Sequence, residues 1–221
     1  MNTKCCVLQE TVLHQACVCQ EHDMMEVFLS APGVDVNAVN MHGWSPLHLA
    51  AQKGDTYKVR RLVEKGACVD LQSVRGDTPI FFSVQNNSPE NTSFSVLFDY
   101  IRSNYSKEDA AAQFKHTNSK GETLLGCAVR HENFTALKIL LEEGLFDINH
   151  KDPQGYSLLH LCVSHAPNME ILSFLLENGL SPNEVDEVGN SALMYFFKQS
   201  RAAPRKCSGG GGVKSSPNVN V

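Results

Sequence analysis

The chain has 221 residues, 42% hydrophobic and 19% charged, a balance that supports a packed core and excludes a chain that is disordered throughout. Its formal net charge of -5 gives no general attraction for phosphate backbones, and no stretch approaches the roughly 18 to 20 apolar residues of a membrane-crossing helix. The opening MNTKCCVLQE lacks the apolar run of a secretory signal, so the eight cysteines are expected to be reduced thiols in an intracellular protein, cytoplasmic or nuclear.

In chain order, one short phrase recurs six times: TVLHQAC from Thr11, SPLHLAA from Ser45, TPIFFSV from Thr78, TLLGCAV from Thr123, SLLHLCV from Ser157 and SALMYFF from Ser191. The intervals are 34, 33, 45, 34 and 34 residues, and a near-constant period of that size implies stacked units rather than one globular core. In the second unit Ser45 suits a helix cap and Pro46 the first helical position, where a missing N–H costs nothing. Leu47 and Leu49 to Ala51, then Val59, Leu62 and Val63, predict two short helices around the turn Lys53-Gly54-Asp55. Gly66 tolerates positive φ after the second helix, and the turn-rich stretch up to Gly76 suits a projecting hairpin. Neither helix can bury its apolar stripe alone, so the units must stack.

The run Gly43-Trp44-Ser45-Pro46-Leu47-His48-Leu49-Ala50-Ala51, followed by Gly66-Ala67-Cys68-Val69-Asp70, resembles the ankyrin repeat, and the resemblance covers about residues 8 to 200. It implies an all-α solenoid of helix-turn-helix units with projecting β-hairpin loops. It also implies a noncatalytic adaptor, scaffold or inhibitor that binds another protein through hairpin tips and the concave helix face, with no nucleic-acid or membrane partner. The expected organisation is a lead-in at 1–10, a repeat domain at 11–200 with five repeats and a truncated sixth, and a flexible basic tail at 201–221. The long third interval places an insertion near 102–117, read as a second helix over about 92–103 followed by an extra helical turn or loop. The sixth unit reaches Arg201-Ala202-Ala203-Pro204 without a second helix, leaving Leu193, Tyr195, Phe196 and Phe197 to end the stack. This fits a short form of a longer repeat protein, or a monomer with weak self-association at that end.

His14, His48 and His160 share one place in the phrase, three residues after the capping Thr or Ser, which predicts a repeated structural bond. Phe81, Gly126 and Met194 fill that place elsewhere, so the third unit in particular must bond differently. The alternative is a metal-binding protein or thiol enzyme built on His14-x-x-Cys17-x-Cys19-x-x-His22 with Cys5 and Cys6. Residues two apart on a helix point roughly 200° apart, which disfavours that ligand set. Cys17, Cys127 and Cys162 read as buried inert thiols. No catalytic residue, metal or cofactor is therefore assigned. Gly209 to Gly212 is a linker run rather than a phosphate loop, and the Asn-x-Ser/Thr triplets at Asn86, Asn91, Asn104 and Asn133 are chance matches.

The candidate partner-binding residues follow from the repeat register. Trp44 and Tyr156 occupy the same hairpin position, joined by Met41, His42, Gln52 and Lys53 in the second unit and by Gln154, Ser164 and His165 in the fifth. Asn37 and Asn149 each follow Asp-Val or Asp-Ile and lie eight residues after a Leu, a pattern that resembles ankyrin-loop sites of the oxygen-sensing asparaginyl hydroxylase.

Overall fold

A computed structural model describes residues 8–86, 92–144, 146–165 and 168–202, with only the backbone described at 165 and 199–202. Cys5, Cys6, Asn91 and the tail beyond residue 202 lie outside the described residues. Each phrase opens a helix. Repeat one holds α1 (Val12–Val18) and α2 (His22–Leu29), repeat two α3 (Pro46–Lys53) and α4 (Thr56–Glu64), and repeat three α5 (Pro79–Gln85) and α6 (Ser93–Asn104). After α7 (Lys107–Phe114) come α8 (Leu124–Arg130) and α9 (Phe134–Glu142), α10 (Leu158–His165) and α11 (Met169–Glu177), and finally α12 (Ala192–Ala202).

Helices of seven to nine residues are unstable alone in water, so their stability comes from stacking. The first helices α1, α3, α5, α8, α10 and α12 pack in series. Close approach is permitted by a small residue at the sixth place of the phrase: Ala16, Ala50, Ser83, Ala128 and Cys162 are all buried. Three of the second helices, α4, α9 and α11, are capped by Asp55, Asn133 and Asn168, whose side chains accept backbone N–H groups from Lys58, Ala136 and Ile171 respectively. Lys58 stands where α9 and α11 have Ala136 and Ile171. It is fully buried, and its Nζ donates to the carbonyl of Ala16 at 3.0 Å and to that of Cys19, 3.5 Å from the Asp55 carboxylate. The ammonium thus satisfies orphan carbonyls at the end of α1; stripping such a buried charge of a partner costs about 3–5 kcal/mol.

The insertion is a helix of two turns, α7. The Ser106 side chain caps α7 by accepting the Asp109 N–H. Ala110 and Phe114 are buried, and Phe114 stacks on Phe98 of α6 with ring centroids 4.5 Å apart. The insert therefore covers α6 instead of merely protruding from it.

Hairpins precede repeats two to six, and among the described residues their backbones form isolated bridges and turns rather than extended strands. In each, the first residue's N–H donates across the turn, Asn40 to Trp44 O, Ser73 to Asp77 O, Asn118 to Glu122 O, Asp152 to Tyr156 O and Asp186 to Asn190 O, and its carbonyl accepts the N–H of the hairpin glycine. In each, the side-chain oxygen of the first residue also accepts N–H groups two and four residues on. Gly76 shows why the turn needs glycine: its φ is 75°, and a Cβ would lie 3.0 Å from the Ser119 nitrogen in the next hairpin. Part of the expected lead-in already belongs to this lattice. Gln9 has a φ of 55° at the position of Gly43, and the Leu8 carbonyl accepts the Met41 N–H.

Neighbouring hairpins are joined by Val74 N–H to His42 O at 2.9 Å and by Ser119 N–H to Arg75 O at 2.8 Å. The equivalent donor before repeat five is Pro153, which has no N–H. Its ring instead lies over Gly121, where a Cβ would come within 2.2 Å of Pro153 Cγ.

Candidate protein-interaction surface

The recurring histidines are structural. In His14, His48 and His160 the Nδ1 atom accepts the backbone N–H of the preceding cap, Thr11, Ser45 or Ser157, at 3.0–3.2 Å. That assignment puts the ring proton on Nε2, which donates to the carbonyl of Trp44, Asp77 or Asn190 in the next repeat at 2.9–3.2 Å. Where the histidine is missing, the bonding differs as expected. Thr123 caps α8 by accepting the Gly126 N–H, whereas Thr78 Oγ1, three residues before Phe81, is buried and finds no hydrogen-bond partner among the described residues. His116, from the end of the insert, donates to Gly76 O at 2.7 Å and meets the Phe81 ring edge-on.

Among the described residues, the side chains of His14, Cys17, Cys19 and His22 are not brought together into one group. Both His14 nitrogens are engaged as above, and Cys17 is buried, with burial pushing its thiol up to about 12. Cys19 lies beyond the end of α1 and His22 pairs with Asp55 at 3.1 Å. Burial also raises the thiols of Cys127 and Cys162. Among the described residues no three His, Cys, Asp or Glu side chains are placed to hold a metal ion, and no helix is long and apolar enough to cross a membrane.

The proposed contact residues fall into two groups. Trp44 is half-buried and meets Phe82 of the next repeat edge-on at 5.3 Å, with His42 against its other side at 5.1 Å. Met41 is exposed beside it. Gln52 and Lys53 are exposed at the far end of α3, about 12 Å along the helix, so they do not cluster with the indole. In repeat five the grouping is tighter. Gln154, Tyr156 and Ser164 line one groove of about 500 Å³ together with Lys120, Arg130 and Tyr195. The side chain of His165 lies outside the described residues.

Tyr195 closes that groove. Its hydroxyl donates to Asp186 at 2.6 Å and lies 3.3 Å from the Tyr156 hydroxyl. The Tyr195 bond and the turn N–H groups hold the Asp186 carboxyl down to about 2, and the same carboxylate raises the Tyr195 hydroxyl. A second groove, about 550 Å³, shares Lys120, Glu122 and Arg130 and extends to Arg75 and Gln85. Arg75 and Lys120 were readable from the register, because they occupy the same place before the hairpin glycine as His42 and Gln154. Tyr195 takes the place of Leu49 in its phrase, where a core residue was the natural reading.

Asn37 and Asn149 act as clamps between successive loops. Asn37 Nδ2 donates to Gly66 O at 3.3 Å and its Oδ1 accepts the Cys68 N–H at 2.8 Å; Asn149 makes the same pair with Gly179 O and Ser181 N.

Stacked helix hairpins with projecting turns and a lined concave side define a helical repeat solenoid of the protein-interaction class. The family described as "Ankyrin repeats (3 copies)" matches residues 13–109 and 100–186, and the chain belongs to the ankyrin-repeat family. It is 31% identical over 121 residues to SMC5-SMC6 complex localization factor protein 1 of Bos taurus, covering 47% of this chain and 12% of that protein. It is 33% identical over 158 residues to the nuclear factor NF-kappa-B p105 subunit of Gallus gallus, covering 70% and 15%. The chain thus spans a small part of these relatives. Among solved structures, the ankyrin repeat protein EF0377 has a TM-score of 0.66 at 22% identity, covering 86% of this chain and 92% of its own. The Bdellovibrio bacteriovorus complex of a predatory endopeptidase with its immunity protein gives 0.70 at 20%, covering 87% and 94%. At these identities the likeness establishes the fold.

The buried imidazole carries a pH dependence. Burial lowers His48 from its ordinary 6.5 to about 4, so the folded protein excludes a proton that the unfolded chain accepts. Its contribution is complete above pH 6.5 and declines as the pH falls from there toward 4, by up to about 1.4 kcal/mol per unit. The urea midpoint of the wild-type chain is expected to fall between pH 6.5 and 5, and a His48→Asn variant to fall less steeply over the same range; parallel slopes would contradict the assignment.

Proposed function

We propose that the chain is a noncatalytic adaptor, scaffold or inhibitor that binds a protein partner in the cytoplasm or nucleus through its hairpin tips and concave helix face. The observation that carries this reading is the pairing of accessible aromatic residues, Trp44 and Tyr156, at one hairpin position with exposed polar neighbours. Met41 and His42 flank the first, and Gln154 and Ser164 the second; His165 belongs to the proposed surface by its place in the register, and Gln52 and Lys53 extend the surface along α3. Relatives whose names place them in complexes, such as the SMC5-SMC6 localization factor and the NF-kappa-B p105 subunit, support a binding role. Proximity labelling supplies the partner, and Trp44→Ala with Tyr156→Ala is then expected to weaken it by at least about 30-fold with the circular-dichroism spectrum intact. Unchanged affinity in a folded variant would refute this surface.

A second contact is weak self-association through α12. Leu193 is 61%, Met194 52%, Phe196 40% and Phe197 56% exposed, a run of large apolar side chains at the end of the stack. The mass measured by light scattering should rise with protein concentration, and Phe197→Ser should remove the rise. A strictly monomeric mass for the wild-type chain at high concentration would eliminate this contact.

Asn37 and Asn149 are proposed sites of asparaginyl hydroxylation. The hydroxylase groove takes an extended loop, so each carboxamide must first release its two inter-loop bonds. Asn37 adjoins the first repeat, which among the described residues has a stacked neighbour on one side, and should react before Asn149. Incubation with the enzyme, iron, oxygen and 2-oxoglutarate followed by peptide mass spectrometry reads this directly. A one-oxygen increment on neither residue would end the idea, and faster reaction at Asn149 would overturn the stability argument.

A further inference from the structure

The groove across repeats three to six carries its charges unequally. Its carboxylates are committed to the scaffold. Asp77 is 6% exposed and accepts Asn118 Nδ2 at 2.8 Å, the Asp152 oxygen holds two turn N–H groups, and the Glu122 side chain is 12% exposed beside Arg130. Arg75 and Lys120, by contrast, are exposed, and among the described residues neither side chain makes a hydrogen bond or ion pair. Arg130 Nε lies 3.3 Å from Glu122 Oε1 without hydrogen-bond geometry, and its terminal nitrogens bond to no described residue. The part of the groove a partner can touch is therefore cationic, bounded at one end by Tyr156, Leu161 and Tyr195.

Arg75, Lys120 and Tyr156 come from three successive hairpins. Packed helices lie about 8–10 Å apart and a peptide in the extended polyproline II conformation advances about 3.1 Å per residue with three residues per turn, so one hairpin corresponds to about three residues of bound peptide and every third side chain faces the same way. We propose, building on the reading of the chain as a protein-interaction module, that this groove binds an extended acidic segment of a partner protein. The segment carries two carboxylate side chains three residues apart, against Arg75 and Lys120, and an apolar side chain three residues further on, against Tyr156 and Tyr195. Arg130 lies between the second and third contacts. The acidic body does not prevent this, because its long-range repulsion is screened beyond about 8 Å at physiological salt while the groove cations act in contact.

The test is fluorescence anisotropy of the full chain with a dye-labelled Gly-Ser peptide bearing Glu at two positions three apart and Leu three residues beyond. Saturable binding with a dissociation constant below about 1 mM is expected, weakening as salt rises. Replacing both Glu by Gln, or making Arg75→Glu with Lys120→Glu in the protein, should weaken it at least about tenfold, a loss readable against an unchanged circular-dichroism spectrum. Absence of saturation, equal binding of the Gln peptide, or indifference to the charge reversals would overturn the proposal. So would tighter binding of a single-stranded oligonucleotide that the same reversals abolish. If the captured partner is lost on Trp44→Ala and Tyr156→Ala but retained on the charge reversals, the module reading stands and the acidic segment alone falls.

Discussion

Each buried imidazole in the first helices has two nitrogens with different obligations. Nδ1 accepts from the cap of its own repeat, fixing where the helix starts, and Nε2 donates to a carbonyl at the base of the next hairpin, fixing where the neighbour sits. One side chain therefore converts local helix nucleation into long-range register. Because the short helices cannot persist alone, this coupling is what makes the apolar stripes meet with the right offset. The rest of the chain builds on that offset: the small residues beneath the helix contacts, the hairpin bonds, and the alignment of hairpin tips that brings Arg75, Lys120 and Tyr156 into one row.

The ionisable groups divide accordingly between framework and surface. His48, Cys17, Lys58 and Asp77 are buried and spoken for, and their burial would make them poor reagents. The stack leaves other groups accessible: the edge of Trp44, the Tyr156 ring and the cations Arg75 and Lys120 that precede hairpin glycines. This division lets hairpin side chains vary without disturbing the scaffold, since the first hairpin residue, the glycine and the cap carry the turn.

Much of the architecture was legible because it is periodic. The six phrases located the first helices, and the place of His48 announced a repeated bond before its acceptor was known. What escaped was nonperiodic. The segment Lys107 to Phe114 looked polar and Ala-rich, and the one residue that anchors it, Phe114, finds its partner Phe98 only in three dimensions. Lys58 likewise looks like an ordinary surface lysine on a helix; only the fold brings the carbonyls of Ala16 and Cys19 to its end. The contact residues were half visible. Register aligned Trp44 with Tyr156, but it could not show that Gln52 lies a helix length away from the indole or that Tyr195 completes the wall beside Tyr156.

The passage from repeat four to repeat five breaks both periodic couplings at once. Gly126 stands where an imidazole would reach forward, and Pro153 stands where an N–H would reach back. Leu161 fills the first gap, with its Cδ1 3.3 Å from where a Gly126 Cβ would lie, and the proline ring covers Gly121 in the second. These two hydrogen bonds are replaced by apolar contact, which is less directional than the bonds it replaces. The solenoid is therefore not a uniform spring. It has one junction at which two of the repeated hydrogen bonds give way to apolar contact, while Asn168 Nδ2 still donates to Glu132 Oε2 across it at 3.1 Å and holds the second helices together.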